Sequence, residues 1–238
     1  MPVTGAAALM GRAEQAVLAW LADNGCPPGG ALRPAVVDGS ALFPAGATKD
    51  EPEVEVERLG DGRFFSVVAR DGDQVALRGR FTAVLLPHAA DGSNACPPPG
   101  LESLVLDDIE GLGTAVASHD PATEAETLRQ NAQQGSDGPE QIWPVRSELM
   151  SFSGYVDQLL EMAAAAVAGD GPRPDLVVRR LRVRLLADAR RGEQVHACYQ
   201  IAGVRAGNHD GRFDAHVVRG EDYVPTATGI VLHGVGMT

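Results

Sequence analysis

GYVDQLLEMAAAAVA, residues 154–168, is followed by LVVRRLRVRLL (176–186), QVHACYQIAGV (194–204), RFDAHVV (212–218) and a last extended run over 223–235. In the first stretch Val156, Leu159, Leu160, Ala163, Ala164 and Val167 recur every three or four residues, the spacing of one apolar helical stripe. Ser153 is placed to cap that helix. The later runs are extended in character, and the segments 189–193 and 206–211 between them have hairpin composition. This half of the chain therefore reads as a helix followed by an antiparallel meander.

Working outward, the same order recurs nearer the N-terminus. GAAALMGRAEQAVLAWLAD (5–23) offers a stripe of Leu9, Ala13, Ala16, Val17, Trp20 and Leu21, with Thr4 as its cap and Asn24-Gly25 as its stop. An extended piece (35–43), EVEVER (53–58), RFFSVVAR (63–70) and QVALRGRFTAVLL (74–86) follow, with Gly60-Asp61-Gly62 as a turn. Residues 87–142, with Pro97 to Pro99 and many Gly, Asp, Ser and Gln, lack sustained periodicity and read as a linker or cover. The expected organisation is a first unit over 1–86, this Pro/Gly-rich segment, and a second unit over 143–238. An antiparallel sheet has one face to cover and a helix has one stripe to bury, so each sheet is expected to wrap its own helix. The expected fold is α+β: a double hotdog with two central helices, each wrapped by an antiparallel sheet.

Composition narrows the function. The 238 residues carry 32 acidic and 20 basic side chains, a net charge of −12, which repels a phosphate backbone and argues against nucleic-acid binding. The whole excess lies in residues 1–140, so a basic docking surface is expected in the C-terminal part. Cys26, Cys96 and Cys198 are odd in number and far apart, which fits a reducing compartment. No signal peptide is read over residues 1–21, no apolar run is long enough to span a bilayer, and a cytoplasmic protein is expected. No Cys/His cluster has the spacing of a metal site.

PVTGAAALMGRAEQA (2–16) resembles the Pro-Val-x-x-Gly lead into the central helix of hotdog thioester dehydratases, including the dehydratase domains of polyketide synthases. AVVDGSALFPAG (35–46) and the strands after it are similar to the first hotdog of those domains. VVRRLRVRLLADARRGEQVHACYQ (177–200) and YVPTATGIVLHGV (223–235) are similar to strands of bacterial 3-hydroxyacyl carrier-protein dehydratases. The resemblance implies loss of water from a 3-hydroxyacyl thioester held on an acyl carrier protein, in polyketide or fatty-acid biosynthesis. It implies a histidine base and a carboxylic acid, because the α-proton must leave while the hydroxyl is protonated. The family's acid commonly stands in Asp-x-x-x-Gln or Asp-x-x-x-His. Here the matching phrase is DQLLE (157–161), which puts Asp157 at the acid position and Glu161 where the family pattern differs. No histidine precedes Gly5, where the family motif would place the base. Three alternatives stay open: sequence beyond the N-terminus carries it, a partner supplies it, or the chemistry is not classical dehydration.

The candidate catalytic residues are therefore Asp157 and Glu161. Gly154, Tyr155, His88 and His196 are candidates for substrate binding, His88 at the end of a strand and His196 on one strand face with Cys198 and Gln200. Glu14 is the comparable acid of the first helix. It would join Asp157 and Glu161 in activating water for thioester hydrolysis if it faced them, but solvent exposure is the expectation. Arg180, Arg182 and Arg184 alternate with apolar residues, so they share one face that would suit the acidic surface and phosphopantetheine phosphate of a carrier protein, unless this chain's own acids pair with it. No cofactor is expected beyond the phosphopantetheine arm as substrate handle. Expected partners are an acyl carrier protein and either a second copy of the chain or another synthase subunit. A hotdog acyl thioesterase and a non-catalytic hotdog subunit are the alternative readings.

Overall fold

A computed structural model describes residues 1–27, 29–44, 52–87, 96–106, 121–138, 140–145, 151–168, 176–189, 191–202 and 210–235. Helix α1 (Val3–Asp23) buries Ala6, Leu9, Met10, Ala13, Val17 and Leu21, close to the expected stripe. Its start has no side-chain cap, whereas its end closes as a Schellman turn. Gly25, at φ +98°, and Cys26 donate their N–H groups to the Ala22 and Leu21 carbonyls, and Cys26 and Leu21 are both buried. After it come β1 (Leu32–Leu42), β2 (Glu53–Arg58), β3 (Phe64–Asp71) and β4 (Gln74–Pro87). The second half opens with a helix over Phe152–Ala168 and continues with β6 (Leu176–Leu185), β7 (Gln194–Ala202), β8 (Asp210–Arg219) and β9 (Val224–Val235).

The segment between the halves holds structure that the sequence pattern does not announce. A 3-10 turn at Glu102–Leu104 is tied to the β2–β3 hairpin, where Arg58 donates to the Gly100 carbonyl (2.6 Å) and Arg63 to that of Ser103 (2.7 Å). Helix α2 (Pro121–Gln134) packs on β8 and β9, and β5 (Gln141–Pro144) pairs with β7, crossing the boundary expected at 143. The helix over Phe152–Ala168 is thus α3.

Among the described residues nine strands form one antiparallel sheet in the order β2-β3-β4-β1-β6-β9-β8-β7-β5. Read outward from the central pair β1/β6, the first half runs β1, β4, β3, β2 and the second runs β6, β9, β8, β7, so both halves have the same connectivity. Helices α1 and α3 pack against each other and against this sheet. In α3 Phe152, Tyr155, Val156, Leu159, Leu160, Met162 and Ala163 are buried. Each Leu or Val so buried contributes about 1.5–3 kcal/mol relative to an exposed position. β2, an edge strand, turns its glutamates to solvent and its valines inward, which guards the edge against pairing.

Two bulges adjust the central strands. One lies between Val36 and Asp38 of β1 against β4, and the other between Val178 and Arg180 of β6 against β9. The first lets Val36 and Val37 both be buried although they are neighbours in a strand.

Candidate functional site

Glu14 stands four residues after Met10 and three before Val17, so the turn of α1 that buries those side chains carries a carboxylate inward with them. It is only 7% exposed. Its Oε2 accepts the Ser153 N–H at 3.0 Å, in the first turn of α3, across 139 residues of sequence. The neighbouring amide, Gly154 N–H, is taken by the Ser151 hydroxyl at 3.1 Å, so Ser151 and not Ser153 caps α3. Burial raises the Glu14 carboxyl above its ordinary 4.5. Hydrogen bonds from Ser153 and Phe152 pull it back, and the charge of Asp157 adds to the rise.

Glu14 forms part of the wall of a cavity of about 140 Å³ between α1, α3 and the central strands. Leu18, Val36, Val37, Leu86, Phe152 and Leu185 make its surface mostly aliphatic and aromatic. Ser151, Arg33 and Asp188 add polar groups to the lining. Asp188 is held by Arg219, whose Nη1 lies 2.8 Å from the Asp188 carbonyl and 3.0 Å from Oδ1. A largely buried carboxylate beside a mostly apolar cavity, its pKa raised above the ordinary value, is a stronger proton acceptor than an exposed glutamate.

The expected site residues are distributed unevenly around this cavity. Tyr155 lines it, but its hydroxyl is buried without a hydrogen-bond partner of acceptable geometry, and burial pushes the phenol up to about 12. Gly154 sits at the α3 start with its N–H engaged by Ser151. Asp157 and Glu161 lie on the exposed side of α3, and neither lines the cavity. Partial burial, and then the charge of Glu161, raise the Asp157 carboxyl. His196 is half-buried on β7, beside Val218 of β8 and Ile142 of β5, away from Glu14. His88 lies outside the described residues. Glu14 corrects an expectation: it is buried, not solvent-facing, because its position falls inside the stripe of α1. Met10 is buried four residues before it and Val17 three residues after it, and that helical spacing carries the signal although the expected stripe leaves Met10 out.

Arg180, Arg182 and Arg184 do share one face of β6, paired across to Leu232, Ile230 and Thr228 of β9. Arg180 is exposed and makes no ion pair with a described residue. Arg182 binds Asp38 at 3.1 Å. Arg184, only 6% exposed, reaches Glu124 of α2 at 2.7 Å and lies 3.6 Å from Asp38. Two of the three are therefore engaged by the chain's own acids. Among the described residues no group of three or more His, Cys, Asp or Glu side chains could hold a metal ion. No described helix is long and apolar enough to cross a membrane.

No family model matches the sequence, and no curated protein matches it. Solved structures do match. A 12:0-ACP thioesterase from Umbellularia californica superposes with a TM-score of 0.65 at 13% identity, over 98% of this chain and 87% of that one. A protein described as an oleoyl thioesterase from Lactobacillus plantarum gives 0.57 at 11% identity, over 86% and 76%. One described as a thioesterase from Novosphingobium aromaticivorans gives 0.51 at 14%, over 97% and 87%. Two helix-and-meander halves of equal connectivity, and this likeness over nearly the whole chain, identify the architecture as the α+β hotdog fold.

Proposed function

We propose that this protein is a double hotdog that hydrolyses an acyl thioester, with Glu14 as general base. The observation that carries the reading is the buried Glu14 carboxylate in the wall of a mostly apolar cavity with a few polar groups, at the positive end of α3. Thioesters are also the substrate class named for the structures that share the fold. In the reaction, Glu14 takes a proton from water as the water oxygen bonds to the thioester carbonyl carbon. The carbonyl oxygen becomes an anion, and since the first amides of α3 are held by Glu14 and Ser151, the helix would favour it only through the field of its positive end. The oxyanion then collapses, the carbon–sulfur bond breaks, and the proton held by Glu14 goes to the departing sulfur. Water and thioester thus become a carboxylic acid and a thiol. The acyl group is proposed to arrive on the phosphopantetheine arm of an acyl carrier protein or of coenzyme A.

Hydrolysis is preferred over dehydration on geometry. Dehydration needs a base and an acid on the same substrate, whereas among the described residues no imidazole lines the cavity and Asp157 stands outside it. The test is incubation of the full chain with butanoyl and 3-hydroxybutanoyl thioesters, following free thiol and enoyl absorbance separately. Thiol release without enoyl product is expected. Glu14→Gln is expected to lower kcat by about 10²–10⁴-fold, the usual contribution of a general base. Enoyl formation, or a Glu14→Gln variant of full activity, would overturn the assignment.

A further inference from the structure

We infer that the cavity admits only a short acyl group and that Phe152 sets the limit. This rests on the thioester reading, since it concerns the occupant of the same site. A dry cavity of about 150 Å³ holds one benzene ring, about six heavy atoms. The cavity beside Glu14 has about 140 Å³ and is open on one side, where a thioester arm would enter, so the part of an acyl chain that it encloses is by that measure about four to six carbons.

The wall behind Phe152 is filled, not hollow. Its ring is 1% exposed and packs edge-to-face on Phe81, with centroids 6.0 Å apart at 75°. Phe81 in turn lies against β1 and β4 at two glycines. A Cβ on Gly39 would meet both Phe152 and Phe81, and one on Gly79 would come within 2.7 Å of Phe81. The absent side chains at positions 39 and 79 are what let the two rings close over the sheet. A chain that grew toward Phe152 would have to displace its ring into space already occupied by Phe81, and protein interiors packed this way do not yield that volume cheaply. Phe152 also opens α3 directly before Ser153, whose N–H holds Glu14, so the stop and the proposed base are set by the same helical turn.

The test measures kcat/KM of the full chain on acetyl, butanoyl, hexanoyl, octanoyl and dodecanoyl coenzyme A. The maximum is expected at butanoyl or hexanoyl, with dodecanoyl lower by about tenfold or more, the cost of a misfitted methylene or two. Phe152→Leu and Phe152→Ala, checked for folding by circular dichroism, are expected to move the maximum to octanoyl or beyond. Equal rates on hexanoyl and dodecanoyl thioesters, or an unchanged profile in a folded Phe152→Leu variant, would overturn the inference while leaving thioester hydrolysis standing. If no length is hydrolysed, the hydrolytic reading fails. Calorimetric binding of the matching S-alkyl coenzyme A thioethers then decides the length limit alone: a cut-off after the hexyl compound, relieved in Phe152→Leu, supports it. Binding without a cut-off, or none at any length, overturns it.

Discussion

Replacing Glu14 by Gln separates two roles that the geometry superimposes on one side chain. As a partner for the first amides of α3, the side chain contributes hydrogen bonds that a Gln carbonyl can also accept. As a carboxylate, it costs desolvation energy, which is why its pKa stands above 4.5. A carboxyl whose folded pKa is raised binds more protons folded than unfolded, so stability falls as pH rises from the unfolded value through the folded one. Glu14→Gln removes that loss. The variant is expected to melt no lower than the parent at neutral pH, with any gain appearing only above about pH 4.5, as differential scanning calorimetry at several pH values would show. Activity should move the other way, as stated for kcat. In the parent, the acidic limb of the kcat/KM profile should lie at a higher pH than an ordinary glutamate gives, because the base must ionise before it works. A less stable and fully active variant would make Glu14 a structural cap and nothing else.

At the scale of elements, α3 is held by close fits and α2 by charge. Gly229 of β9 faces α3, and a Cβ there would fall 2.5 Å from Leu159 Cδ1, a fully buried side chain. Gly229→Ala is therefore expected to cost about 1–3 kcal/mol by overpacking, read from the urea midpoint. Helix α2 buries little, chiefly Leu128 and Ala132, and its Glu124 pairs with the nearly inaccessible Arg184. Glu124→Gln should raise hydrogen exchange over residues 121–134 and leave α1 and α3 protected, because the lost ion pair anchors only that helix. The same contrast explains what was legible. α1, α3 and the eight strands of the two meanders each repeat a wide apolar pattern, so periodicity finds them. In PATEAETLRQNAQQ the buried pair Leu128 and Ala132 is a stripe one residue wide, and β5 is four residues ending at Pro144, so neither produces a period. The bulges at Val36–Asp38 and Val178–Arg180 arise from pairing between strands and have no local signature.

Across the whole molecule, the duplicated connectivity was readable because each half carries it locally, but the site was not, because it forms where the halves meet. The contact between Glu14 and Ser153 joins residues from different halves, and only the fold brings α1 to the start of α3. Charge also acts at this scale. The chain carries −12, and two of the three arginines on the β6 face are engaged by Asp38 and Glu124, which leaves Arg180 as the exposed member of that set. An anionic carrier protein would approach against the net field and could gain only from a local positive point. Arg180→Glu is accordingly expected to raise KM for a carrier-bound acyl substrate several-fold at low ionic strength, while kcat stays constant. The same variant should treat a small acyl thioester without a carrier as the parent does. The effect should fade towards about 0.5 M salt, where the screening length drops well below 10 Å. Losses that are equal for both substrates, or independent of salt, would remove Arg180 from docking and move the carrier's approach to another face of the sheet.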